Sequence, residues 1–465
     1  WYVPRYLVEG DPERGIEAAA PELKSVYDLP RYASLFTDPE EPTKGRFYNC
    51  ILGWQCELLN NAKLRAYGLD ETFTNFRPGA ASSLAAAIAS AYTRGKPIVA
   101  YHWGPTWVLG SYDMVMLEEP PYSREAWEAF SDDPDNAPPT AYPTTEVSIG
   151  VNTKFAAEAP QVVAFLKQYK TTSAMASEAL AFLNANKEAT TRDAAQHFLE
   201  TRPDVWRQWV SPEIAARIVG ERRETEASSF PQEWRFPISA WVNEWIEGFV
   251  ANYGGLFEAA GNQVLKLILL MEDGLQALPW WLVLIIAAVV GWHATGSLWA
   301  PVGFTIALFC VGVLGLWDLA MQTLALTTVS VLLALVIGIP FGVMLAKLPR
   351  VRRFSLPVLD AMQTLPSFVY LIPALMLFGL GKVPAVFATV IYATPPLIRL
   401  TDLGIRLVAD AFTEVAADLG AERWQQLIDI EMPLALPNIM AGNNQTITMA
   451  LSMVVIASMI CPRGL

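Results

Sequence analysis

Two tryptophan sites carry the residue types best suited to chemistry. Trp54 lies in a short loop bracketed by Cys50 and Cys56, within Asn49-Cys50-Ile51-Leu52-Gly53-Trp54-Gln55-Cys56. Trp103 follows the apolar stretch Pro97-Ile98-Val99-Ala100-Tyr101, with Trp107 close behind. An indole face attracts cations, and a cage of such faces suits a quaternary ammonium group, which has no hydrogen to donate. Tryptophans also simply fill cores, so type and spacing alone leave both uses open. The cysteine pair is equally two-sided. A disulfide there implies an oxidising compartment, whereas two neighbouring reduced thiols imply nothing, and the Cys-X-X-Cys spacing of redox pairs is absent. Cys310 and Cys461 lie in or beside apolar stretches, where a lone thiol packs. His102, His197 and His293 do not cluster with cysteines, so neither a metal nor a cofactor is expected.

The elements around these residues divide sharply. Residues 1–277 hold 24 Lys/Arg against 37 Asp/Glu, while residues 278–465 hold nine of each. The acidic excess marks a solvated first part and argues against a nucleic-acid partner, which requires a basic surface. In that part helical patterns alternate with short apolar runs. Strands are expected over Pro97–Tyr101 and Val147–Val151, and a helix opens at Pro160, so the domain reads as α/β. Residues 220–234 read as a polar linker.

From Leu278 onward, six apolar segments follow one another, each a candidate membrane helix. They run over 278–294, 301–317, 321–345, 366–380, 383–400 and 439–460, with the first two as a hairpin. Gly and Pro inside them suit membrane helices. Lys347, Arg350, Arg352 and Arg353 place the loop after the third segment in the cytoplasm. By alternation, residues 405–437 are cytoplasmic, and the connector at Lys382 and residues 1–277 are extracytoplasmic. Asp318, Asp360 and Asp402 fall near segment ends, where solvation accounts for them.

The cytoplasmic stretch 405–437 reads as two short helices around Gly420, the second ending at proline, a shape that presents a helix to a groove. Thr413-Glu414-Val415-Ala416-Ala417-Asp418-Leu419-Gly420 followed by Ile430-Glu431-Met432-Pro433 resembles the EAA loop of ABC-importer permeases. Glu414, Ala416, Gly420, Ile430 and Pro433 stand at matching places, with Val415 replacing an alanine and Met432 a leucine. Residues 359–371 and 450–460 resemble signatures of glycine betaine/proline betaine permeases. Asn49-Cys50 to Cys56, and Tyr101-His102-Trp103-Gly104-Pro105-Thr106-Trp107, look like parts of betaine-binding proteins. That resemblance implies a Cys50–Cys56 disulfide, Trp54 and Trp103 as cage walls, and backbone N–H groups of Gln55 and Cys56 on the ligand carboxylate. Tyr101 and His102 would lie at the rim, and a third wall upstream of Trp1. The chain begins at Trp1 rather than Met, and the family continues beyond residue 465, so both ends read as cut.

The resemblance implies a partial type II periplasmic-binding-protein-like α/β domain over 1–219. A linker and amphipathic pre-membrane region over 220–277 follows, then an all-α, MetI-like type I importer permease over 278–465. The expected activity is ATP-driven import of glycine betaine or proline betaine across the bacterial inner membrane. A separate cytoplasmic ATP-binding cassette subunit is the expected partner, since the chain lacks a Gly-x-x-x-x-Gly-Lys-Ser/Thr loop of its own. A second permease copy, the lipid bilayer and the betaine-type ligand complete the partners. Import of choline, carnitine or a related cation is the alternative, and a membrane-tethered sensor is another. The docking loop and the many apolar segments favour transport over sensing. No catalytic constellation supports a membrane enzyme.

Overall fold

A computed structural model of the chain describes residues 1–187, 189–225, 238–296 and 299–457. Five short strands form one sheet: β1 (Tyr2–Pro4), β2 (Gly45–Tyr48), β3 (Phe73–Phe76), β4 (Val99–Ala100) and β5 (Met114–Met116), in the order β3-β2-β4-β1-β5. β2 is parallel to β3 and β4, and β1 is antiparallel to β4 and β5. Parallel neighbours need crossovers. α1 (Gln55–Ala66) supplies the one from β2 to β3, and α2 (Ala81–Thr93) the one from β3 to β4. Val3, Phe47, Phe73 and Val99 from the strands bury together with Leu64 and Leu69. The sheet is therefore mixed and the domain α/β, and Pro97–Tyr101 contains β4.

The strand expected over Val147–Val151 does not form. Those residues have no regular structure, and Val147 is 97% exposed. An apolar run becomes a strand only beside a free sheet edge, and none of the described strands pairs with it. The helix expected from Pro160 spans Pro160–Gln168, with proline in its first turn. Farther on, α3 (Trp107–Ser111) and α4 (Ser173–Ala185) pack so closely that a side chain at Gly110 would collide with the Ser177 carbonyl. Of the expected linker, residues up to Thr225 continue a helix begun at Pro212, and 226–234 lie outside the described residues.

The second part is helical. α5 (Ile238–Gln276) meets α6 (Trp280–Thr295) at a 97° bend between Gln276 and Trp280, and α7 (Trp299–Val313) packs back on α6. Cys310 faces outward from α7 instead of packing, and Cys461 lies outside the described residues. α8 (Trp317–Lys347), then α9 (Pro349–Thr364), α10 (Leu371–Phe378), α11 (Lys382–Arg406), α12 (Asp410–Asp418) and α13 (Met432–Ala457) complete the order. α8, α11 and the continuous helical run Arg423–Ile456 are long and apolar enough to cross a bilayer.

The six expected spans need correction. At 16 and 15 residues, α6 and α7 fall short of a full span. α10, in the fourth segment, has eight residues, about 12 Å against the roughly 30 Å required. No single helix covers it: α9, a tight turn over Ser367–Tyr370 and then α10 follow one another. Pro366 sits at the break, where its missing N–H and fixed φ suit an interruption. α9 starts beside the Arg406 end of α11, through Arg352 on Asp402, and α10 leads into the Lys382 end. The chain therefore still passes from one end of the bundle to the other.

Asp402 also departs from expectation. It is 2% exposed, held by Arg352 at 3.0 Å and Arg406 at 3.1 Å, because α9 folds back over that end of α11. Asp360 is likewise paired, with Arg399. Two of the membrane-length helices, α8 and α11, approach through Gly338 and Gly342. A Cβ on Gly342 would lie 2.5 Å from the Thr401 Cβ and 2.8 Å from the Ile398 carbonyl. Small residues one turn apart let membrane helices touch backbone to backbone. Gly342→Leu is expected to destabilise this packing by about 1–3 kcal/mol, read as a lower thermal midpoint of the detergent-solubilised protein.

Candidate functional site

The site is assembled at the end of β2, where the chain turns into α1. Asn49 ends the strand and is fully buried. Its amide donates to the Glu57 carbonyl at 3.3 Å and to Asn75 at 2.9 Å, and its oxygen accepts from Asn60 at 2.9 Å. A disulfide joins Cys50 to Cys56 and closes the loop between them. Gly53 takes φ +83°, the left-handed conformation that favours glycine. Trp54 is the residue before α1, so Gln55 and Cys56 occupy its first turn, where backbone N–H groups have no helical acceptor. No side chain caps this terminus. Free N–H groups with the helix dipole behind them make a seat for a carboxylate.

Trp54 stands over this terminus, 49% exposed, with its ring 5.7 Å from that of Trp103. The structure thus brings together two tryptophans lying far apart in sequence. Tyr101, at the end of β4, has its ring 6.4 Å from Trp103 and 5.8 Å from Tyr142. Tyr142 in turn lies 5.3 Å from Trp127. Trp107 turns away from this chain of rings and packs with Tyr112. Tyr142 and Trp127 were not singled out from sequence. Trp127 sits in the amphipathic helix Arg124–Asp132, capped by Ser123, and its apolar spacing with Phe130 was open to reading. Tyr142 lies in irregular chain and offered only its aromatic type. Tyr142 donates to Asn60 at 2.9 Å, and the wholly buried Lys63 places its ammonium 4.0 Å from the Tyr142 ring centroid and 2.7 Å from Glu119.

His102 stacks beneath Trp103, ring centres 4.7 Å apart. Its Nδ1 lies 3.1 Å from the Trp103 carbonyl, which can only accept, so Nδ1 carries the proton. Burial lowers its pKa from the ordinary 6.5, against the opposing pull of that hydrogen bond. The ring beneath Trp103 is therefore neutral near pH 7 and does not repel a cation above the indole.

The other candidate element is the 405–437 loop. α12 carries Glu414, exposed, and Ala416, buried, and ends at Gly420 with φ +84°. After the turn the chain re-enters helix at Arg423, widens into a π-helix over Gln426–Glu431, and continues into α13. Ile430 is half-buried and Pro433 exposed. Pro433 does not end the second helix. It falls inside the continuous run Arg423–Ile456, just past the π-helical turn. Val415, Leu419, Trp424 and Ile428 leave an exposed apolar surface. Glu431 is tied to Lys347 at the end of α8 by a 2.5 Å contact.

Between the sheet and the bundle lies a third set of polar residues, of which only Lys382 was marked in sequence, as the connector residue. Arg46 in β2 contacts Asp38 at 2.5 Å and Glu40 at 3.3 Å, and donates to the Leu380 carbonyl at 2.9 Å. Lys382 contacts Glu272 at 2.6 Å and Glu40 at 3.6 Å. None of these five side chains is more than 9% exposed. Asp38 also accepts from Thr74, and although burial opposes it, the Arg46 charge and these hydrogen bonds hold its pKa below the usual carboxylate value. Beside them Phe76 and Ala87 share one buried cluster with Leu371, Leu375, Leu380 and Ala388.

An α/β domain with an aromatic site, packed on a bundle with membrane-length helices, describes a membrane permease carrying its own solute-binding domain. Residues 1–201 match the family model of the substrate-binding domain of the ABC-type glycine betaine transport system, and residues 338–465 that of the binding-protein-dependent transport system inner membrane component. The glycine betaine/proline betaine transport system permease protein ProW of Escherichia coli K12 is 43% identical over 229 residues, 49% of this chain and 64% of that protein. The glycine betaine transport system permease protein OpuAB of Bacillus subtilis is 38% identical over 234 residues, 50% of this chain and 82% of that one. The glycine betaine/carnitine transport permease protein GbuB of Listeria monocytogenes is 40% identical over 236 residues, 49% and 82% respectively. The chain thus spans just under two thirds of the Escherichia coli relative and about half of its own length aligns. It belongs to the glycine betaine-type ABC transporter permeases, with a substrate-binding domain fused ahead of the permease. It is a membrane-embedded member of that family.

His102 generates a pH prediction. Its depressed folded-state pKa means that the unfolded chain takes up the proton first, so its contribution to stability is complete above pH 6.5 and is lost as pH falls below that value. Thermal unfolding followed by tryptophan fluorescence should show the midpoint falling from about pH 7 to about pH 5. His102→Asn should flatten that segment of the profile.

Proposed function

We propose that the chain imports a quaternary ammonium zwitterion, glycine betaine or proline betaine, driven by ATP hydrolysis on a separate cytoplasmic ATP-binding cassette subunit. The observation that carries this reading is the Trp54–Trp103 pair at the uncapped N-terminus of α1. Indole faces attract the methylated ammonium, and N–H groups of Gln55 and Cys56 receive the carboxylate. A ligand with both charges fits better than choline, which has no carboxylate to offer the helix. Tyr101 borders the cage, with Tyr142 beyond it.

In this reading residues 1–219 form the extracytoplasmic binding domain, 220–277 lead to the membrane, and 278–465 form the permease. The chain sits in the bacterial inner membrane and pairs with a second permease copy. Two features support the sidedness. The Cys50–Cys56 disulfide persists in an oxidising compartment, and the basic residues at the end of α8 and the start of α9 lie at the opposite end of the bundle from Lys382. In the loop at that basic end, Glu414, Gly420 and Pro433 are exposed toward the ATPase, while Ala416, buried, and Ile430, half-buried, hold the shape of the helix pair that docks there. Solute capture at one end and ATP hydrolysis at the other then shift the bundle between outward- and inward-open populations.

Reconstitution of the whole transporter with its ATPase in vesicles should give ATP-dependent uptake of labelled glycine betaine. Absence of uptake for every quaternary ammonium compound tried overturns the proposal. Trp103→Ala should weaken solute binding roughly tenfold or more, as removal of a desolvated cation–π wall would. Unchanged affinity removes Trp103 from the cage.

A further inference from the structure

The buried ions between the sheet and the bundle are not equally owned by the two halves. Asp38 and Arg46 pair within the binding domain, and Lys382 of the permease pairs with Glu272 of the pre-membrane helix α5, so each side of the seam keeps a complete pair of its own. Glu40 is different. One carboxylate oxygen lies 3.3 Å from Arg46 and the other 3.6 Å from Lys382, which makes this side chain the ionic link between the two pairs. The close approach of backbone at this point is visible in Gly381, whose φ is +142° and whose added Cβ would lie 3.1 Å from Glu40.

Arg46 also has a direct mechanical line to the aromatic pair. It sits in β2, and the same strand reaches Asn49 and Cys50 within four residues, about 13 Å of extended chain. Asn49 fastens the strand end to α1 through Glu57 and Asn60, and the disulfide fastens Cys50 to the first turn of α1. Tyr101 donates its backbone N–H to the Tyr48 carbonyl at 2.8 Å, tying the strand before Trp103 to β2 as well. Both walls of the cage are thus anchored to the strand that carries Arg46. Arg46 in turn rests on Phe76, 4.4 Å from its ring centroid, within the apolar cluster shared with α10. A displacement of the Cys50–Cys56 loop therefore arrives at Glu40 with little slack along the way.

We propose that Glu40 is a positioning residue of transport: through its shared contact with Arg46 and Lys382 it conveys occupancy of the aromatic site to the permease connector at Leu380–Lys382. This rests on the import reading above. The energetic setting suits a contact that forms and breaks in each cycle. A buried ion pair roughly offsets its own desolvation cost, and separation leaves Arg46 with Asp38 and Lys382 with Glu272, so neither cation is stranded.

The test uses the full chain assembled with its ATPase in vesicles. Glu40→Gln keeps shape and removes charge. It is expected to leave glycine betaine affinity within about twofold of the parent while lowering betaine-stimulated ATP turnover about fivefold. Glu40→Asp should restore part of the turnover, and Glu41→Gln, altering the neighbouring carboxylate that contacts Lys44, should leave it unchanged. Combining Glu40→Gln with Lys382→Gln should lower turnover no further than the stronger single change, as for two residues acting through one contact. Unchanged turnover in Glu40→Gln overturns the proposal, and so does a loss of affinity that accounts for the loss of turnover. Where Lys382→Gln fails to assemble, the split between affinity and turnover in Glu40→Gln decides alone. A parent transporter without any betaine-stimulated turnover counts against the import reading, not against the role of Glu40 within it.

Discussion

Arg46 cannot shed its proton, so once buried it must be met by opposite charge. In this protein that requirement sits at the seam between a solvated domain and a membrane bundle. Burial works against the guanidinium, yet the nearby Tyr48, Glu40 and Asp38 carry its pKa above the ordinary arginine value. Its remaining hydrogen bond goes to the Leu380 carbonyl, at the start of the connector into α11. The relative placement of sheet and bundle is therefore constrained by charge as well as by apolar packing. Phe76 and Ala87 against Leu371, Leu375 and Ala388 contribute the non-directional part. Lys96 on Glu258 at 3.1 Å and Ser90 on the Met376 carbonyl at 2.8 Å add directed contacts farther along the seam.

The bundle beneath has a different logic. Apolar side chains lose little by facing lipid, so helix association there depends on close packing and on satisfied polar groups. Gly338 and Gly342 provide the first between α8 and α11. Thr446 donating to the Ala393 carbonyl at 3.0 Å provides the second between α13 and α11. Charges collect at the two ends: Lys382 with Glu272 and Glu40 at one, and Arg352, Arg406 and Lys347 with Asp402 and Glu431 at the other. The Lys347–Glu431 contact joins the end of α8 to the π-helical turn of the exposed loop, so that loop is held to the bundle at its second half while α12 projects its apolar face.

Much of this was legible from residue type and order. The change from acidic to apolar composition separated the two parts because solvent exposure and membrane burial select opposite residues. Trp54 and Trp103 stood out as candidate walls through a family resemblance, since type and spacing alone left core packing open, and Gly420 was legible because a helix end needing positive φ selects glycine. The misreadings share one cause. A window of apolar residues reports burial without reporting conformation. Residues 366–380 are apolar enough for a span, yet they form a tight turn and an eight-residue helix. Val147–Val151 alternates like a strand, yet no edge is beside it. Asp402 looked solvated because sequence position cannot reveal that α9 folds back to bury it.

Sequence alone determined the family, the division into an α/β domain and a helical membrane part, and the residue types of the cage. These follow from local rules: hydrophobic periodicity, helix termini, and motifs whose members lie within a few residues. Tertiary structure alone decided that Trp54 and Trp103 face each other and that Tyr142 joins their ring system. It also decided that the fourth apolar segment is a turn and a short helix, and that Glu40 lies between Arg46 and Lys382. Each of these depends on distance between residues remote in the chain, and a charge or an aromatic ring has the same identity in sequence whether its partner lies 4 Å away or across the molecule.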